Sequence, residues 1–389
     1  MVPEETLILL LLILSVGLIV PELFKKLRVP FVTSLILMGS ILGPNGINYI
    51  QSNEVINFLG FLGMTFIMFM AGLETNLAKL KKIKNKIFVM AAINGFVPFL
   101  VGTSITLLFG YPLLPSVLIG VIFISSSIAL AVPSLKAAKI FNRNVGQIIL
   151  SAILVADAAS LVLLSMVFQV ISPITHLPLP LYYLVLAVSV IVIFAFAPKL
   201  TRYMFQRRFS EKTDYEDQLR FVIIMVIGVL AYFSILGVHP ILAAFIIGLT
   251  LSQTIRHEKL FTKLHTLGYG LFVPIFFFIV GMEMNLSLLL TFDMGEFLMV
   301  LIVVGLISSK LASGYIGGRV VKLSGKDSAL FGVTSIMQLT TTLAVTYAAA
   351  SLGILDSLLV TSVIILSIIT TILGPVLLKV LLSLQSQNK

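Results

Sequence analysis

The sequence predicts an all-α polytopic membrane protein, and three observations carry that prediction. Apolar residues fill 59% of the 389 positions and charged residues only 11%, against the roughly 25% charged residues of an ordinary water-facing domain. The apolar residues gather in runs of about 20, the length of a helix that crosses a hydrocarbon core. Lysine and arginine appear in every second connection between those runs. The composition excludes a soluble enzyme and a disordered chain. The absence of cysteine excludes thiolate catalysis, Cys-ligated metal centres and a disulfide scaffold.

Thirteen segments meet the length criterion, at about 5–24, 30–47, 54–73, 87–109, 113–135, 145–171, 178–201, 217–236, 239–254, 266–284, 296–318, 327–351 and 356–383. The first is not expected to be a cleaved leader, because Glu4 and Glu5 stand where a basic region belongs. Lys25, Lys26 and Arg28 follow segment 1, and Lys79, Lys81, Lys82, Lys84 and Lys86 follow segment 3. Lys136, Lys139 and Arg143 follow segment 5, and Arg202, Arg207, Arg208 and Lys212 follow segment 7. Arg256, Lys259 and Lys263 follow segment 9, and Arg319, Lys322 and Lys326 follow segment 11. The connections after even-numbered segments lack Lys and Arg and hold Glu54, Asp293, Glu296 and Asp356. Short basic loops stay cytoplasmic, so the N-terminus is expected outside and the C-terminus inside. The net charge of +10 is thus an orientation signal and not a nucleic-acid surface. No soluble tail is expected beyond the last span.

The two halves resemble each other. Phe69-Met-Ala-Gly-Leu-Glu-Thr-Asn-Leu77 matches Phe278-Ile-Val-Gly-Met-Glu-Met-Asn-Leu286, and Pro30 to Gly39 runs parallel to Pro240 to Gly248 with one residue slipped. Segment 3 therefore pairs with 10 and segment 2 with 9. A shift of seven spans is odd, so the copies are inverted, a build common among secondary transporters. The expected division is 1–201 for the first repeat unit with a linker helix, 202–216 for a cytoplasmic linker, and 217–389 for the second unit.

Two ionisable residues fall deep inside spans. Asp157 lies at the middle of segment 6 and Lys310 well inside segment 11. A charge at a helix centre costs about 2.5–3.5 kcal/mol on insertion scales, so such a residue is a functional-site candidate. Segment 5 carries Ser125, Ser126 and Ser127 followed by Pro133. Pro133 cannot donate to the carbonyl of Ala129, so the helix is expected to break there. The hydroxyls and freed carbonyls are hard oxygen ligands for a small alkali cation. Segment 12 holds Gln338, Leu339, Thr340, Thr341 and Thr342 at the inverted position, without a proline and with a weaker expected break.

These residues together resemble the monovalent cation/proton antiporters of the second subfamily, the group of bacterial sodium/proton antiporters and Kef-type potassium systems. Pro30 through Gly46, with Gly39, Gly43 and Pro44, is similar to the family's second-helix pattern. Phe69-Met-Ala-Gly-Leu-Glu74 resembles its "FLAGLE" signature, and Gly268-Tyr-Gly-Leu-Phe-Val-Pro-Ile-Phe-Phe277 with Val280-Gly-Met resembles its "GYGLLLPLFF…VG" stretch. The resemblance implies a thirteen-helix fold with two inverted units, crossed broken helices and a dimerisation domain, hence a homodimer. It places Asp157 on the family's core aspartate, Lys310 on its core basic residue, and Ser126 and Ser127 on the first broken helix. The chain departs from the pattern at Ala156, where relatives carry an acid, Asn or Gln. It departs again at Gln338, Leu339 and Thr340, where Arg-Gly-Glu is usual.

The expected function is sodium/proton exchange across the cell membrane, with Asp157 binding either ion, Ser126 and Ser127 completing the shell and Lys310 coupling charge. No cofactor beyond the transported sodium and protons is expected. Potassium/proton exchange and a sodium-coupled solute symporter are the alternatives. An intramembrane hydrolase is disfavoured, since an aspartyl type needs two facing acids. His176, His239, His257 and His265 lie in or near connections, where His257 and His265 are candidates for pH sensing. Glu74 and Glu283 occupy equivalent ends of the repeated segments.

Overall fold

The computed structural model describes residues 4–25, 30–51, 53–74, 85–141, 143–171, 178–207, 215–236, 238, 240–255, 258–285, 288 and 294–386. His176, His239, His257, Asp293 and the loop cations at 26, 28, 79–84, 208, 212 and 256 lie outside these residues. Regular structure among the described residues is helical throughout: α1 (Glu4–Lys25), α2 (Phe31–Leu42), α3 (Glu54–Glu74), α4 (Asn85–Leu108), α5 (Leu113–Ile124), α6 (Ile128–Ala137), α7 (Asn144–Ile171) and α8 (Leu179–Arg207). Then come α9 (Tyr215–Ile235), α10 (Pro240–Leu251), α11 (Glu258–Leu267), α12 (Val273–Met282), α13 (Met294–Val320), α14 (Gly325–Ser335), α15 (Thr340–Ser351) and α16 (Ser357–Ser386). A π-helical turn, Gly268–Phe272, joins α11 to α12.

Local chemistry sets the ends. Pro30 and Pro112 occupy the N-caps of α2 and α5, and Pro240 opens α10, where a missing amide costs nothing. Ser324 caps α14 by accepting from the Asp327 amide at 3.1 Å. Among the described residues, nine helical stretches are long and apolar enough to cross a membrane, and four shorter apolar helices accompany them. Two of the nine, Lys259–Met282 and Gly325–Ser351, are interrupted. Residues 202–207 of the expected linker continue α8.

The chain divides into two compact units, Met1–Gly60 with Ile83–Ser160 and Pro274–Lys389, and Phe61–Lys82 with Leu161–Val273. In the first, α4 packs on α5 and α13, α13 on α14 and α16, and α15 on α16 and α5. Met90, Ile124, Leu135, Ile153, Ala156 and Phe331 form part of its buried core. In the second, α10 packs on α8 and α9. A backbone contact recurs in both. A Cβ on Gly39 would stand 2.0 Å from the Phe278 carbonyl oxygen, and one on Gly281 2.1 Å from that of Ile36, so α2 and α12 touch backbone to backbone. In the second unit a Cβ on Gly248 would stand 2.1 Å from the Phe69 oxygen, and one on Gly72 2.3 Å from that of Phe245. The sequence-matched segments thus pack in matched pairs through small residues.

Candidate functional site

The site is built where two spans of the first unit lose their helices. Between α5 and α6, Ser125 and Ser127 are extended, with φ/ψ of −63°/162° and −74°/109°. Between α14 and α15 the chain leaves the helix over residues 336–339. Pro133 does not mark the first break. It lies inside α6, because the backbone groups freed at 125–127 find partners on the other broken span.

Those partners are reciprocal. The Ser127 amide donates to the Met337 carbonyl at 2.7 Å, and the Ser126 hydroxyl to the Ser335 carbonyl at 2.8 Å. Gln338 Nε2 donates to the Ser125 carbonyl at 2.6 Å, while the Ser125 hydroxyl reaches Gln338 Oε1 at 3.1 Å and Thr342 Oγ1 at 2.9 Å. Thr342 also donates to Gln338 Oε1, and Thr370 Oγ1 accepts from the Gln338 amide at 3.2 Å. Irregular backbone inside a membrane protein requires this kind of compensation, because an unpaired buried amide or carbonyl costs roughly 1–3 kcal/mol.

The two deep charges sit against opposite helix ends. Lys310 is fully buried, and its ammonium donates to the carbonyl of Ile124, the last residue of α5, at 2.7 Å. It also reaches the Asn94 carbonyl at 3.2 Å, the Ser126 hydroxyl at 3.2 Å and Asn94 Oδ1 at 3.4 Å. The carbonyl end of a helix carries a partial negative charge, so a cation is stabilised there. Asp157, 2% exposed, accepts from the Thr341 hydroxyl at 3.0 Å in the first turn of α15, the end that favours an anion. Asp157 and Lys310 interact through space without a direct ion pair.

Two buried oxygens, Asp157 Oδ1 and Ser127 Oγ, have no hydrogen-bond partner among the described residues. One carboxylate, several hydroxyls and free carbonyl lone pairs form an all-oxygen donor set, the chemistry of a hard cation and not of a soft metal. The same carboxylate oxygen can take a proton. The donor set therefore fits either ion as transported substrate.

The structure brings Asp157, Ser126, Ser127, Lys310, Gln338, Thr341 and Thr342 together at one crossing, and buries Thr340 at the start of α15. Asn94 of α4 was not legible as a site residue. Its Nδ2 donates to the Lys310 carbonyl at 3.1 Å, Ser313 Oγ at 2.9 Å and Ser335 Oγ at 3.2 Å, tying α4, α13 and α14 together. The available signal was an amide side chain in the interior of an apolar span. Away from the crossing, Glu74 is exposed at the end of α3, and Glu283 is half-buried just after α12. The His265 ring stacks on Tyr269 at 4.1 Å.

Residues 10–384 match the profile of the family described as sodium/hydrogen exchanger, transmembrane. A protein of Methanocaldococcus jannaschii named probable Na+/H+ antiporter 3 is 29% identical over 375 residues, covering 95% of this chain and 94% of that one. An Enterococcus hirae protein named Na+/H+ antiporter is 25% identical over 377 residues, covering 95% and 96%. The solved structure of the sodium/proton antiporter MjNhaP1 from M. jannaschii at pH 8 aligns over 97% of both chains, with a TM-score of 0.75 and 19% identity. That likeness is one of fold.

Proposed function

The chain belongs to the sodium/hydrogen exchanger family, and from that premise we propose that it exchanges sodium for protons by alternating access, with Asp157 carrying either ion. The observation that carries this reading is the single buried carboxylate placed at the crossing of two broken spans, one oxygen held by Thr341 and the other without a partner. A cation and a proton compete for the same lone pairs, and that competition is the coupling. Ser127 Oγ, buried and without a partner among the described residues, is the hydroxyl most available to join the cation shell. Ser126 supports the crossing instead, since its oxygen already serves Ser335 and Lys310.

Lys310 holds the frame. Its ammonium has four oxygen partners, and release of its proton would leave the carbonyl end of α5 without its cation. This supports exchange of one proton per sodium, as does Ala156, which offers no second acid beside Asp157. The loop charges support an N-terminus outside and a C-terminus in the cytoplasm. The recurring glycine contacts support two inverted units, 1–201 and 217–389, and the family supports a homodimer.

The test is proteoliposome exchange under clamped membrane potential, comparing sodium with potassium. Sodium-driven proton movement that ignores voltage and vanishes in Asp157→Asn is the expected result. Flux persisting in folded Asp157→Asn overturns the assignment, and voltage-driven exchange overturns the one-for-one stoichiometry.

A further inference from the structure

We infer that Glu283, with Tyr347 beside it, is an outer collecting site that draws the transported monovalent cation toward Asp157; the inference rests on the exchange reading above. Glu283 follows the last residue of α12 in a turn pinned on both flanks. Asn45 Nδ2 donates to the Met282 carbonyl at 3.2 Å, and the Asn285 amide donates to Thr361 Oγ1 at 2.9 Å. The Glu283 amide itself closes on the Val280 carbonyl at 3.3 Å. A pinned turn fixes the backbone from which the side chain projects.

Tyr347 of α15 is held edge-on against Phe276 of α12 at 6.0 Å, seven residues before Glu283, and lies within electrostatic reach of that carboxylate. Helix α15 begins at Thr341's hydrogen bond to Asp157 and ends at Ser351, on the face that the loop charges make extracellular. Tyr347 is six residues beyond Thr341, about 9 Å along the axis at 1.5 Å per residue. Glu283 therefore stands alongside the outer half of α15, between the external face and the carboxylate that receives the ion.

Three other acids on this face are placed differently. Asp356 accepts from the Tyr111 hydroxyl at 2.9 Å and from the Leu359 amide at 2.9 Å. Glu54 and Glu296 lie in the first turns of α3 and α13, where a helix N-terminus already favours an anion. Glu283 is half-buried, and no lysine or arginine pairs with it among the described residues. A fixed negative charge on a low-dielectric approach raises the local concentration of a cation and its rate of entry.

The experiment uses right-side-out and everted membrane vesicles with sodium as the varied ion. A unit charge acting over roughly one Debye length, about 10 Å, through an effective dielectric between about 80 and 20 changes local cation occupancy roughly two- to seventeenfold. Glu283→Gln is expected to raise the external KM for sodium by that factor, leaving the maximal rate and the cytoplasmic-side KM unchanged. Glu283→Asp should retain most of the wild-type value, Glu296→Gln should behave as wild type, and added choline chloride should shrink the Glu283 effect by screening. An unchanged external KM in Glu283→Gln, or an equal rise on both sides, overturns the inference. If Asp157→Asn still exchanges ions, the exchange reading fails; if it is silent and the Glu283→Gln KM is unmoved, only this inference fails.

Discussion

Replacing Thr341 by valine removes one oxygen from the site and little else. The hydroxyl makes one hydrogen bond, to Asp157 Oδ2 at 3.0 Å, and valine keeps the branched shape that α15 packs around. A donor to a carboxylate stabilises the ionised, cation-holding form over the protonated one. A hydrogen bond to a charged group is worth about 1.5–3 kcal/mol, and each 1.4 kcal/mol is tenfold in an equilibrium constant. The apparent KM for sodium should therefore rise roughly 10- to 150-fold at fixed pH, while Thr341→Ser stays within a fewfold of wild type. The assay is initial-rate exchange in proteoliposomes with sodium titrated at constant pH. A Thr341→Val KM within twofold of wild type would refute the claim that this hydroxyl holds the ionised carboxylate.

Four further outcomes follow from the same geometry. Asn94→Leu strips one acceptor, Oδ1, from the buried Lys310 ammonium and leaves Ser313 and Ser335 without their donor, so thermal unfolding in detergent should reveal a loss of about 1–3 kcal/mol. Gly39→Ala drives a methyl into the Phe278 carbonyl and should cost about 1–3 kcal/mol or more; Gly228→Ala in α9, with open space around it, should be neutral or stabilising. Lys310→Gln should lower stability and exchange together, since four oxygens lose an ammonium at the end of α5; unchanged stability would contradict its framing role. Tyr111 lies outside the spans, and its hydroxyl is held above its ordinary pKa by partial burial and by the Asp356 carboxylate it donates to. A raised folded-state pKa contributes stability that is complete below the ordinary value near 10 and is lost only as pH rises through the folded value. Tyr111→Phe should then cost a pH-independent increment below about 1 kcal/mol across neutral pH, read by melting at pH 6 and 8.

The sequence made the membrane architecture legible because hydropathy and loop charge act over whole spans. It made Asp157 and Lys310 legible because a charge in an apolar run stands alone. It placed the first helix break wrongly. Pro133 weakens a single backbone bond, whereas Ser125, Ser126 and Ser127 have partners more than 200 positions away at Ser335, Met337 and Gln338. Those contacts decide where the backbone can leave the helix. Asn94 was overlooked for the same reason: an amide in a span reads as helix packing until Lys310, Ser313 and Ser335 are seen around it. The π-helical turn at Gly268–Phe272 has no periodic signature in so short a stretch. The glycine repeat, by contrast, was readable in one dimension, and the structure gave it a reason in matched backbone contacts.

The central claim is that one carboxylate holds either a sodium ion or a proton. Calorimetric titration of the purified protein with sodium, repeated in buffers of different ionisation enthalpy, counts protons released per ion bound. Wild-type protein should release a proton count that approaches one per sodium as pH is lowered, and folded Asp157→Asn should show neither sodium binding nor release. Sodium binding with no proton released at any pH, or release that persists in Asp157→Asn, would contradict it.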